Sequence, residues 1–312
     1  MSSTYVVTGA GPVGWTVAEK LAGQGHRVRI LTRSGGGPAH RRVEKITADV
    51  SDPDHLETAM EGVTAVFHCI HGAAYNAQAW RRDLPQAEQT ILEAARRAGA
   101  VVVFPESLYS YSEPGRIMTE DSPRAASGGK RGVRSELLAA RAASSAPTVS
   151  VVASDFFGPR VRMAHAGERM VPRLLEGKTL RVLGSADVPH SFTYVPDLAA
   201  AMVAAAGNPD VWNTVLHAPT GPAVTQRQMA EAFTRAAEAP EPKVGTLPGW
   251  LLRGAGVVSS DARELAEMVY QFEAPFVMDS SRTESLLGLK PTPLEEAAAA
   301  TVQWWDAADK AA

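Results

Sequence analysis

The chain has 312 residues, of which 45% are hydrophobic, so it is long enough for one large domain or two smaller ones with a full core. With 31 Lys and Arg against 34 Asp and Glu, the net charge of -3 excludes the strongly basic surface of a nucleic-acid-binding protein. One cysteine, no signal-peptide pattern and no apolar run near the ~20 residues of a membrane span predict a cytoplasmic protein without nucleic-acid or membrane partners.

Strand-like and helix-like segments alternate through the first 160 residues. Short β-branched or apolar runs predict strands at 5–7, 27–31, 65–69, 101–104 and 149–152, with a further strand ending before Asp49. Helices are predicted between them, including 14–23 and 83–99, the second capped by Asp83. This alternation predicts an α/β fold with a doubly wound parallel sheet covered on both faces.

The pattern changes after residue 161, where spacers lengthen. Residues 192–195 predict a strand and a helix follows from about Asp197, while Thr225 and Gln228 fit a capping box. We therefore expect a nucleotide-binding domain over 1–160, to which about 189–218 return, and a smaller C-terminal substrate-binding lobe over 161–312. That lobe is expected at the C-terminal edge of the sheet, where open α/β sheets bind ligands.

A glycine motif, Gly9-x-Gly11-x-x-Gly14, lies directly after the first strand and directly before a helix. In this context Gly9 permits the tight turn, Gly11 lets the backbone approach a pyrophosphate, and Gly14 lets helix and strand pack closely. Pro12 and Val13 stand at the N-terminus of this helix, where the positive end of the helix dipole favours phosphate. The motif predicts a Rossmann-type dinucleotide site.

The second strand predicts which dinucleotide binds. A strand for NAD usually ends in Asp or Glu, but no carboxylate occurs over 26–43, and Arg33 and Ser34 stand at the strand tip. Because a guanidinium binds a 2′-phosphate that a carboxylate would repel, we expect NADP(H) to be preferred over NAD(H). Asp49 and Val50 are placed beside the adenine, although Asp49 is equally suited to a turn.

Several segments share their order and spacing with one known family. The glycine loop, AMEGVTAVFHCI, LEAARRAGA, ESLYSYSEPGRIMTEDSP, VVASDFFGP, HSFTYVPDLA and LLGLKPTPLEEA resemble the extended short-chain dehydrogenase/reductase superfamily, in its nucleotide-sugar epimerase/dehydratase-like branch. The likeness spans nearly the whole chain, with one residue fewer than usual between the first two glycines. It implies a Rossmann-type domain, NAD(P) chemistry and a small-molecule substrate.

The resemblance also implies site residues. Ser107 falls where the family's Ser or Thr hydrogen-bonds the substrate oxygen, and Phe157 falls in its Tyr-Gly-Pro turn beside the nicotinamide. Further cofactor contacts are expected from residues at the ends of strands, namely Cys69, Ile70, His71 and Phe156.

One departure from the family concerns the catalytic tyrosine. In the family a helix begins Tyr-x-x-x-Lys, where the Tyr passes the proton and the Lys binds the ribose and lowers the Tyr pKa. No Tyr occurs between Tyr111 and Tyr194, and Lys130 and Arg134 take the two places unless a shifted alignment puts Gly128 and Gly132 there. The chain thus resembles the atypical members that lack the catalytic Tyr.

The proton donor is left open by this departure. Arg134 is expected to hydrogen-bond the ribose, and the proton falls to Lys130, Tyr109 or Tyr111. The cations Lys130 and Arg134, one helical turn apart, are expected to share an anionic target. No metal site is predicted, because His68 and His71 flank Cys69 without the four ligands that structural zinc requires.

The sequence predicts an NADP-dependent oxidoreductase that acts on a carbonyl, alcohol or conjugated carbon of a small molecule. A nucleotide-sugar epimerase or dehydratase with bound NAD(P), and a non-catalytic NADP(H)-sensing regulatory protein, are the alternatives. Family members commonly dimerise through the two helices that correspond to 83–99 and 133–143, so the resemblance implies a possible homodimer.

Overall fold

The structure is a computed structural model that describes residues 2–72 and 74–309. Its strands are β1 (Thr4–Thr8), β2 (Arg27–Thr32), β3 (Val43–Thr47), β4 (Val63–His68), β5 (Val101–Ser107), β6 (Thr148–Ala153), β7 (Asp155–Phe157), β8 (Leu180–Leu183), β9 (Phe192–Tyr194), β10 (Thr214–His217) and β11 (Val244–Leu247). Its α-helices are α1 (Pro12–Gly23), α2 (Pro53–Ala59), α3 (Ala77–Ala98), α4 (Gly129–Ala142), α5 (Val171–Leu175), α6 (Val195–Ala206), α7 (Gln226–Ala236), α8 (Gly249–Ala255), α9 (Ser260–Met268), α10 (Ser281–Leu287) and α11 (Leu294–Asp309).

A seven-stranded sheet forms the centre of the fold, in the order β10-β6-β5-β4-β1-β2-β3 with every neighbouring pair parallel. Strands β4, β5 and β6 are rich in Val and largely buried, as is usual where helices cover both faces of a parallel sheet. The predicted Rossmann-type α/β fold is confirmed. The strand order reverses between β1 and β4, and ligands of open α/β sheets bind in the crevice at such a point.

Helices cover the two faces of the sheet. On one face, Leu21 of α1 and Met202 of α6 pack in one buried cluster with Val7 of β1. On the other, Leu56 of α2 and Ile91 of α3 pack in a second cluster with the sheet. Each such side chain contributes about 1.5–3 kcal/mol through burial, so the sheet's edge and its loops rest on a rigid base.

The start of α3 differs from the sequence prediction. The helix begins at Ala77 rather than at Asp83, because the Asn76 side chain accepts a hydrogen bond from the Ala79 amide at 2.8 Å and so caps it. Asp83 instead pairs with the adjacent Arg82 on the surface, and Pro85 lies inside the helix. The prediction was wrong because Asp83 and the nearby proline imitate a helix start.

Two further helix starts match the sequence prediction fully or nearly. The capping box is confirmed at α7, where the Thr225 hydroxyl accepts from the Gln228 amide and the Gln228 side chain accepts from the Thr225 amide. Helix α6 begins at Val195, slightly before the prediction, and Asp197 accepts two hydrogen bonds of 2.8 Å from Thr292. That contact fixes the segment before α11 to the sheet domain.

The C-terminal half builds a separate core and also returns to the sheet. Strands β8 and β11 pair, β7 and β9 pair, and α7 packs on α11 around Phe233 and Trp305. Strand β10 completes the edge of the main sheet beside β6, and α6 packs on α1. Within the part of the chain that the structure describes, no helix combines the length and apolarity required to cross a membrane.

A buried histidine makes the fold sensitive to acid. His68 ends β4, contacts the Thr8 hydroxyl through Nδ1 at 2.9 Å, and burial lowers its pKa to about 4 from 6.5. Because the folded state holds this ring neutral, its contribution is complete above pH 6.5 and is lost as the pH falls toward 4.

The free energy of unfolding is therefore expected to fall by about 1–3 kcal/mol between pH 6.5 and 4 from this group. Urea denaturation across that range measures it, and His68→Gln is expected to reduce the slope. The exposed His55 provides the control, since His55→Gln should leave the slope unchanged. Equal slopes for His68→Gln and the parent protein would contradict the assignment.

Candidate active site

The glycine loop has the geometry of a phosphate cradle. Gly9 has a φ of +87°, and a Cβ there would lie 2.9 Å from the Cys69 carbonyl oxygen. A Cβ at Gly14 would lie 2.1 Å from the Gly9 carbonyl oxygen. A Cβ at Gly11, by contrast, would meet no protein atom within 4 Å. Two of the glycines thus close the turn against the protein, and the third faces open space.

That open space lies at the N-terminus of α1. Gly11 is the N-cap residue and makes no side-chain cap hydrogen bond, and Pro12 occupies the first turn. Free amides in the first turn and the positive end of the helix dipole favour an anion. The cradle fits the pyrophosphate of a dinucleotide, because Gly11 leaves space free of protein atoms at the end of the helix whose first amides lack intrahelical partners. Val13, which we expected at the cofactor, is buried in the core beneath the loop.

The tip of β2 lies beside this cradle. Arg33 and Ser34 are exposed in the turn after the strand. A Cβ placed on Gly36 would be 3.3 Å from the Ser34 hydroxyl oxygen and 4.0 Å from Ala10 Cβ, inside the glycine motif. Gly36 therefore lies close to both Ser34 and the glycine motif, which places the turn after β2 next to the phosphate loop.

The ends of β3 and β4 lie on opposite sides of β1 in the sheet and carry the other residues expected at the cofactor. Asp49 is exposed and accepts a hydrogen bond from the Ser51 amide at 2.9 Å. This contact gives it the role of a turn residue, which was the alternative to a place beside the adenine. Val50 is buried, and Ile70 packs partly on the same core cluster. Cys69 is half-buried, and burial raises the pKa of its thiol.

Ser107 ends β5 at the same edge of the sheet. Its amide donates to Glu106 Oε1 at 2.7 Å, and its hydroxyl donates to the same oxygen at 3.3 Å. Glu106 Oε2 in turn accepts from Arg141 Nη1 at 2.8 Å, and Arg141 also binds Glu88. A buried ionic network thus holds the backbone that presents Ser107.

An aromatic cluster stands next to Ser107, formed by His71, Tyr75, Trp80 and Tyr109. The Tyr75 and Tyr109 hydroxyls are 2.7 Å apart, Tyr109 stacks on Trp80, and His71 meets Trp80 edge-on at 4.9 Å. Burial raises the pKa of Tyr75 and raises that of Tyr109 strongly. Both tyrosines are therefore neutral hydrogen-bonding groups at ordinary pH.

Lys130 does not share a target with Arg134. Its side chain is fully buried, and Nζ binds Glu264 Oε2 at 2.5 Å and Glu267 Oε2 at 2.8 Å, both from α9. Arg134 lies over the Trp80 ring at 4.9 Å. The expectation of one shared anion was wrong, because two carboxylates from distant sequence already neutralise Lys130. Its ammonium is thereby withdrawn from ribose binding and proton transfer.

Gly128, one of the two glycines of the shifted alignment, has a backbone conformation that favours glycine. Gly128 caps α4 with φ 72° and ψ 162°, a region that essentially only glycine adopts. Arg134 remains next to the sheet edge, with Nε 3.6 Å from Glu106 Oε1. Of the two cations, Arg134 is the one that lies beside the strand carrying Ser107.

Tyr111 does not face the crevice. It is fully buried, and its hydroxyl lies 2.5 Å from His217 Nε2. His217 Nδ1 lies 2.6 Å from the Asp279 carbonyl oxygen, which can only accept, so Nε2 is the acceptor and Tyr111 donates to it. Its proton is committed to His217, and Tyr111 is therefore withdrawn as a proton donor to substrate.

Phe157 also differs from its expected role. Its ring is buried in the core of the lobe, 5.4 Å from Tyr194 and 6.1 Å from Phe233, so only its backbone remains for the cofactor. Phe156 is half-buried on the opposite side of β7 and packs at the edge of the sheet's core. Alternation along a strand explains the difference, because neighbouring residues face opposite sides.

A pair of residues that the sequence analysis did not include lies at the start of β7. Asp155 Oδ2 is 2.8 Å from His190 Nε2, and the Asp155 side chain is 19% exposed whereas His190 is fully buried. The signal was present: Asp155 is a single carboxylate between two apolar runs, directly after a buried strand. Its partner comes 35 residues later, a separation that sequence pattern does not resolve.

Two unpaired buried atoms accompany this pair. Gln226 donates to the Leu183 and Ser185 carbonyls, so its own oxygen faces His165 Nε2, which must donate. His165 Nδ1 is then an acceptor, and it has no partner within the described residues. The Tyr270 hydroxyl is likewise buried and unpaired there. Unpaired buried polar atoms cost free energy, so they favour a ligand that hydrogen-bonds them.

Three other cations do not converge on the site. Arg160 pairs with Glu19, Arg162 lies over Trp304 and Trp305, and Arg173 binds the Thr179 carbonyl. Across 2–72 and 74–309, no group of three or more His, Cys, Asp or Glu is arranged to hold a metal ion.

A family model and a curated relative match this chain. The model described as the NAD dependent epimerase/dehydratase family matches residues 5–214. The decarboxylating sterol-4-alpha-carboxylate 3-dehydrogenase of Mus musculus is 26% identical over 217 residues. That match covers 64% of this chain and 58% of the mouse protein, so the chain spans less than two thirds of this relative.

Solved structures share the fold over nearly the whole chain. The Bordetella bronchiseptica enzyme WbmH, in complex with NAD+, has a TM-score of 0.76 at 21% identity and covers 98% of this chain and 99% of its own. UDP-glucose 4-epimerase of Thermotoga maritima, with UDP-glucose, has a TM-score of 0.77 at 18% identity and the same coverages.

Proposed function

The chain belongs to the NAD dependent epimerase/dehydratase family, and we propose that within this family it is an NADP-dependent oxidoreductase. It moves a hydride between the nicotinamide and a carbonyl, alcohol or conjugated carbon of a small molecule. Its nucleotide domain covers 1–160 together with about 189–218, and the remainder up to 312 binds the substrate. Contact through α3 and α4 in a homodimer belongs to the same proposal.

The tip of β2 carries the choice of cofactor. Arg33 and Ser34 stand there beside the phosphate cradle, and no carboxylate occurs over 26–43. A guanidinium and a hydroxyl suit the 2′-phosphate of NADP, whereas NAD sites usually place an acidic residue at this point. Binding of the pyrophosphate falls to the amides around Gly11.

The residues around the nicotinamide divide the remaining work. The bound cofactor supplies or accepts the hydride. Ser107 hydrogen-bonds the substrate oxygen, which fixes the reacting carbon, and Arg134 binds the ribose. The aromatic cluster beside Ser107 limits access of water, because its rings pack on one another.

The cofactor preference is tested by titrating the purified protein with NADPH and NADH. We expect tighter NADPH binding, and Arg33→Ala should weaken NADPH by about 10- to 100-fold, as the loss of a charge-assisted hydrogen bond of ~1.5–3 kcal/mol implies. Binding of NADH should change little. Arg41→Ala, an exposed arginine on the following turn, provides the matched control. Tighter binding of NADH by the parent protein would contradict the proposal.

A nucleotide-sugar epimerase or dehydratase is the second candidate, and the family description favours it. The absence of Tyr from α4 counts against it, because a reaction at a sugar hydroxyl needs a strong acid or base there. Such enzymes regenerate their cofactor within each turnover, so cofactor retained through purification would favour this candidate. Oxidation of NADPH with ketones, enones or quinones would favour the reductase and exclude a purely sensory role.

A further inference from the structure

Within the Asp155–His190 pair, protein groups enclose the His190 ring. The His190 ring is held between Phe272, at 4.7 Å and nearly parallel, and Phe276 at 5.3 Å. Its two nitrogens face Asp155 Oδ2 at 2.8 Å and the Gln271 carbonyl oxygen at 3.1 Å. Of the two side chains only that of Asp155 is partly exposed, so a ligand or solvent can contact the pair only through that carboxyl group.

The hydrogen bonds of His190 fix the number of protons on the pair. A carbonyl oxygen only accepts, so Nδ1 carries a proton toward Gln271. Nε2 faces a carboxyl oxygen, so either Nε2 also carries a proton or Asp155 is protonated and donates to Nε2. Both arrangements hold one proton more than a neutral imidazole beside a carboxylate. Either arrangement places a shared proton between His190 and the Asp155 carboxyl group.

Titratable groups face this pair from three other parts of the chain. Tyr75 and Tyr109 of the aromatic cluster and Tyr270 of the lobe feel the Asp155 charge, which adds to burial in raising the pKa of each. His165 lies on the lobe side, where burial lowers its pKa to about 4 and leaves it neutral.

The formal charges on neighbouring elements are already paired. Lys130 binds Glu264 and Glu267, and the Glu267 charge also acts on Tyr75 and Tyr270. Arg131 lies over the Tyr270 ring at 4.9 Å and donates to backbone carbonyls. Each of these charged groups is therefore committed to a partner within the protein.

Strand register brings the pair close to Ser107. In the main sheet Ser107 of β5 lies opposite Ala153 of β6, and Asp155 follows two residues later at the same sheet edge. Asp155 also begins β7, opposite Phe192 of β9, which brings His190 alongside. The Asp155 charge also adds to burial in raising the pKa of Tyr109, which follows Ser107 by two residues, so the carboxyl group lies near the segment that carries Ser107.

We propose that the Asp155–His190 pair is the proton donor of this site, in the role that the family gives to its tyrosine. The inference rests on the proposed function. Reduction of a carbonyl adds a hydride to carbon and a proton to oxygen: the bound NADPH supplies the hydride with its two electrons, and the pair supplies the proton. The pair is left as a neutral imidazole and a carboxylate, and water returns the proton before the next turnover.

The proton count is tested without substrate or cofactor. In the full chain labelled with 15N at its eight histidines, the His190 signal is identified by its loss in His190→Gln or, where that variant does not fold, by its shift in Asp155→Asn. At pH 7.5 we expect either an imidazolium or the neutral form protonated at Nδ1. A neutral form protonated at Nε2 overturns the proposal, because the pair then stores no proton.

Turnover provides the second readout, with the ketone, enone or quinone that the NADPH oxidation screen selects. Asp155→Asn is expected to lower kcat by about 10²- to 10⁴-fold, the usual contribution of a general acid, with the NADPH affinity unchanged. The decline of kcat at high pH in the parent protein should vanish in this variant. Asp155→Glu should restore part of the rate.

The matched control is Asp187→Asn, an exposed carboxylate on the lobe that pairs with Arg227. It should leave kcat and its pH profile unchanged. If Asp155→Asn keeps more than a tenth of kcat with the parent pH profile, the donor assignment is wrong. Failure of the parent protein to bind NADPH would instead overturn the proposed function, while the histidine signal still reports the proton count.

Discussion

Gly14→Ala is expected to weaken binding of NADPH and NADH by about 100-fold, equivalent to ~2.7 kcal/mol. The added methyl group would lie 2.1 Å from the Gly9 carbonyl oxygen, and that atom belongs to the backbone, so the loop must move. A displaced loop loses several amide hydrogen bonds to phosphate, each worth about 0.5–1.5 kcal/mol or more. Overpacking also lowers the free energy of unfolding by about 1–3 kcal/mol.

Two variants separate packing from cofactor contact. Gly11→Ala adds its methyl group where no protein atom lies within 4 Å, so it should leave the free energy of unfolding unchanged yet weaken cofactor binding. Gly23→Ala, at the far end of the same helix and equally free of contacts, should affect neither. Titration and urea denaturation of the three variants measure this. Unchanged cofactor affinity in Gly14→Ala would show that the cradle does not bind the cofactor.

Arg141→Met is expected to lower the free energy of unfolding by about 3–5 kcal/mol. Its guanidinium is 3% exposed and binds Glu88 at 2.5 Å and Glu106 at 2.8 Å, and both carboxylates are nearly inaccessible. Arg141 holds the pKa of Glu88 below its usual value despite burial. Removing the cation leaves the buried Glu88 carboxylate without a charged partner and leaves Glu106 with only its longer contact to Arg134, at 3.6 Å. An unpaired buried charge is the costly result of breaking a buried ion pair.

Urea denaturation at pH 7.5 measures this loss. The double variant Arg141→Met with Glu88→Gln should recover part of the stability, because it removes the carboxylate that Arg141→Met leaves without a charged partner. Arg227→Met breaks an exposed pair with Asp187 and should change the stability by no more than about 1 kcal/mol. A loss below about 1 kcal/mol for Arg141→Met would contradict the network.

The fold was predictable because its signals are local. Alternating strands and helices, a glycine motif between β1 and α1, and a capping box at α7 each occupy a few consecutive residues. Hydrophobic periodicity and turn chemistry act at this range, so the sheet follows from them. The main local error, the start of α3, arose where Asp83 imitates a cap that Asn76 supplies.

The site was less predictable because its contacts join distant residues. Lys130 carries an ordinary helix-surface pattern, and nothing near it in sequence shows that Glu264 and Glu267 bury its charge. Tyr111 lies four residues beyond Ser107 and yet points to His217, more than a hundred residues later. Proximity along the chain suggested three donors, and packing removes two of them, Lys130 and Tyr111.

The backbone at the entrance of α4 limits which side chains this position accepts. Gly128 has φ 72° and ψ 162°, where a side chain is scarcely tolerated. The ammonium of the neighbouring Lys130 is already bound by two carboxylates. Gly128→Tyr would therefore strain the backbone and leave the new hydroxyl without a free lysine, so one substitution here does not supply a tyrosine–lysine pair.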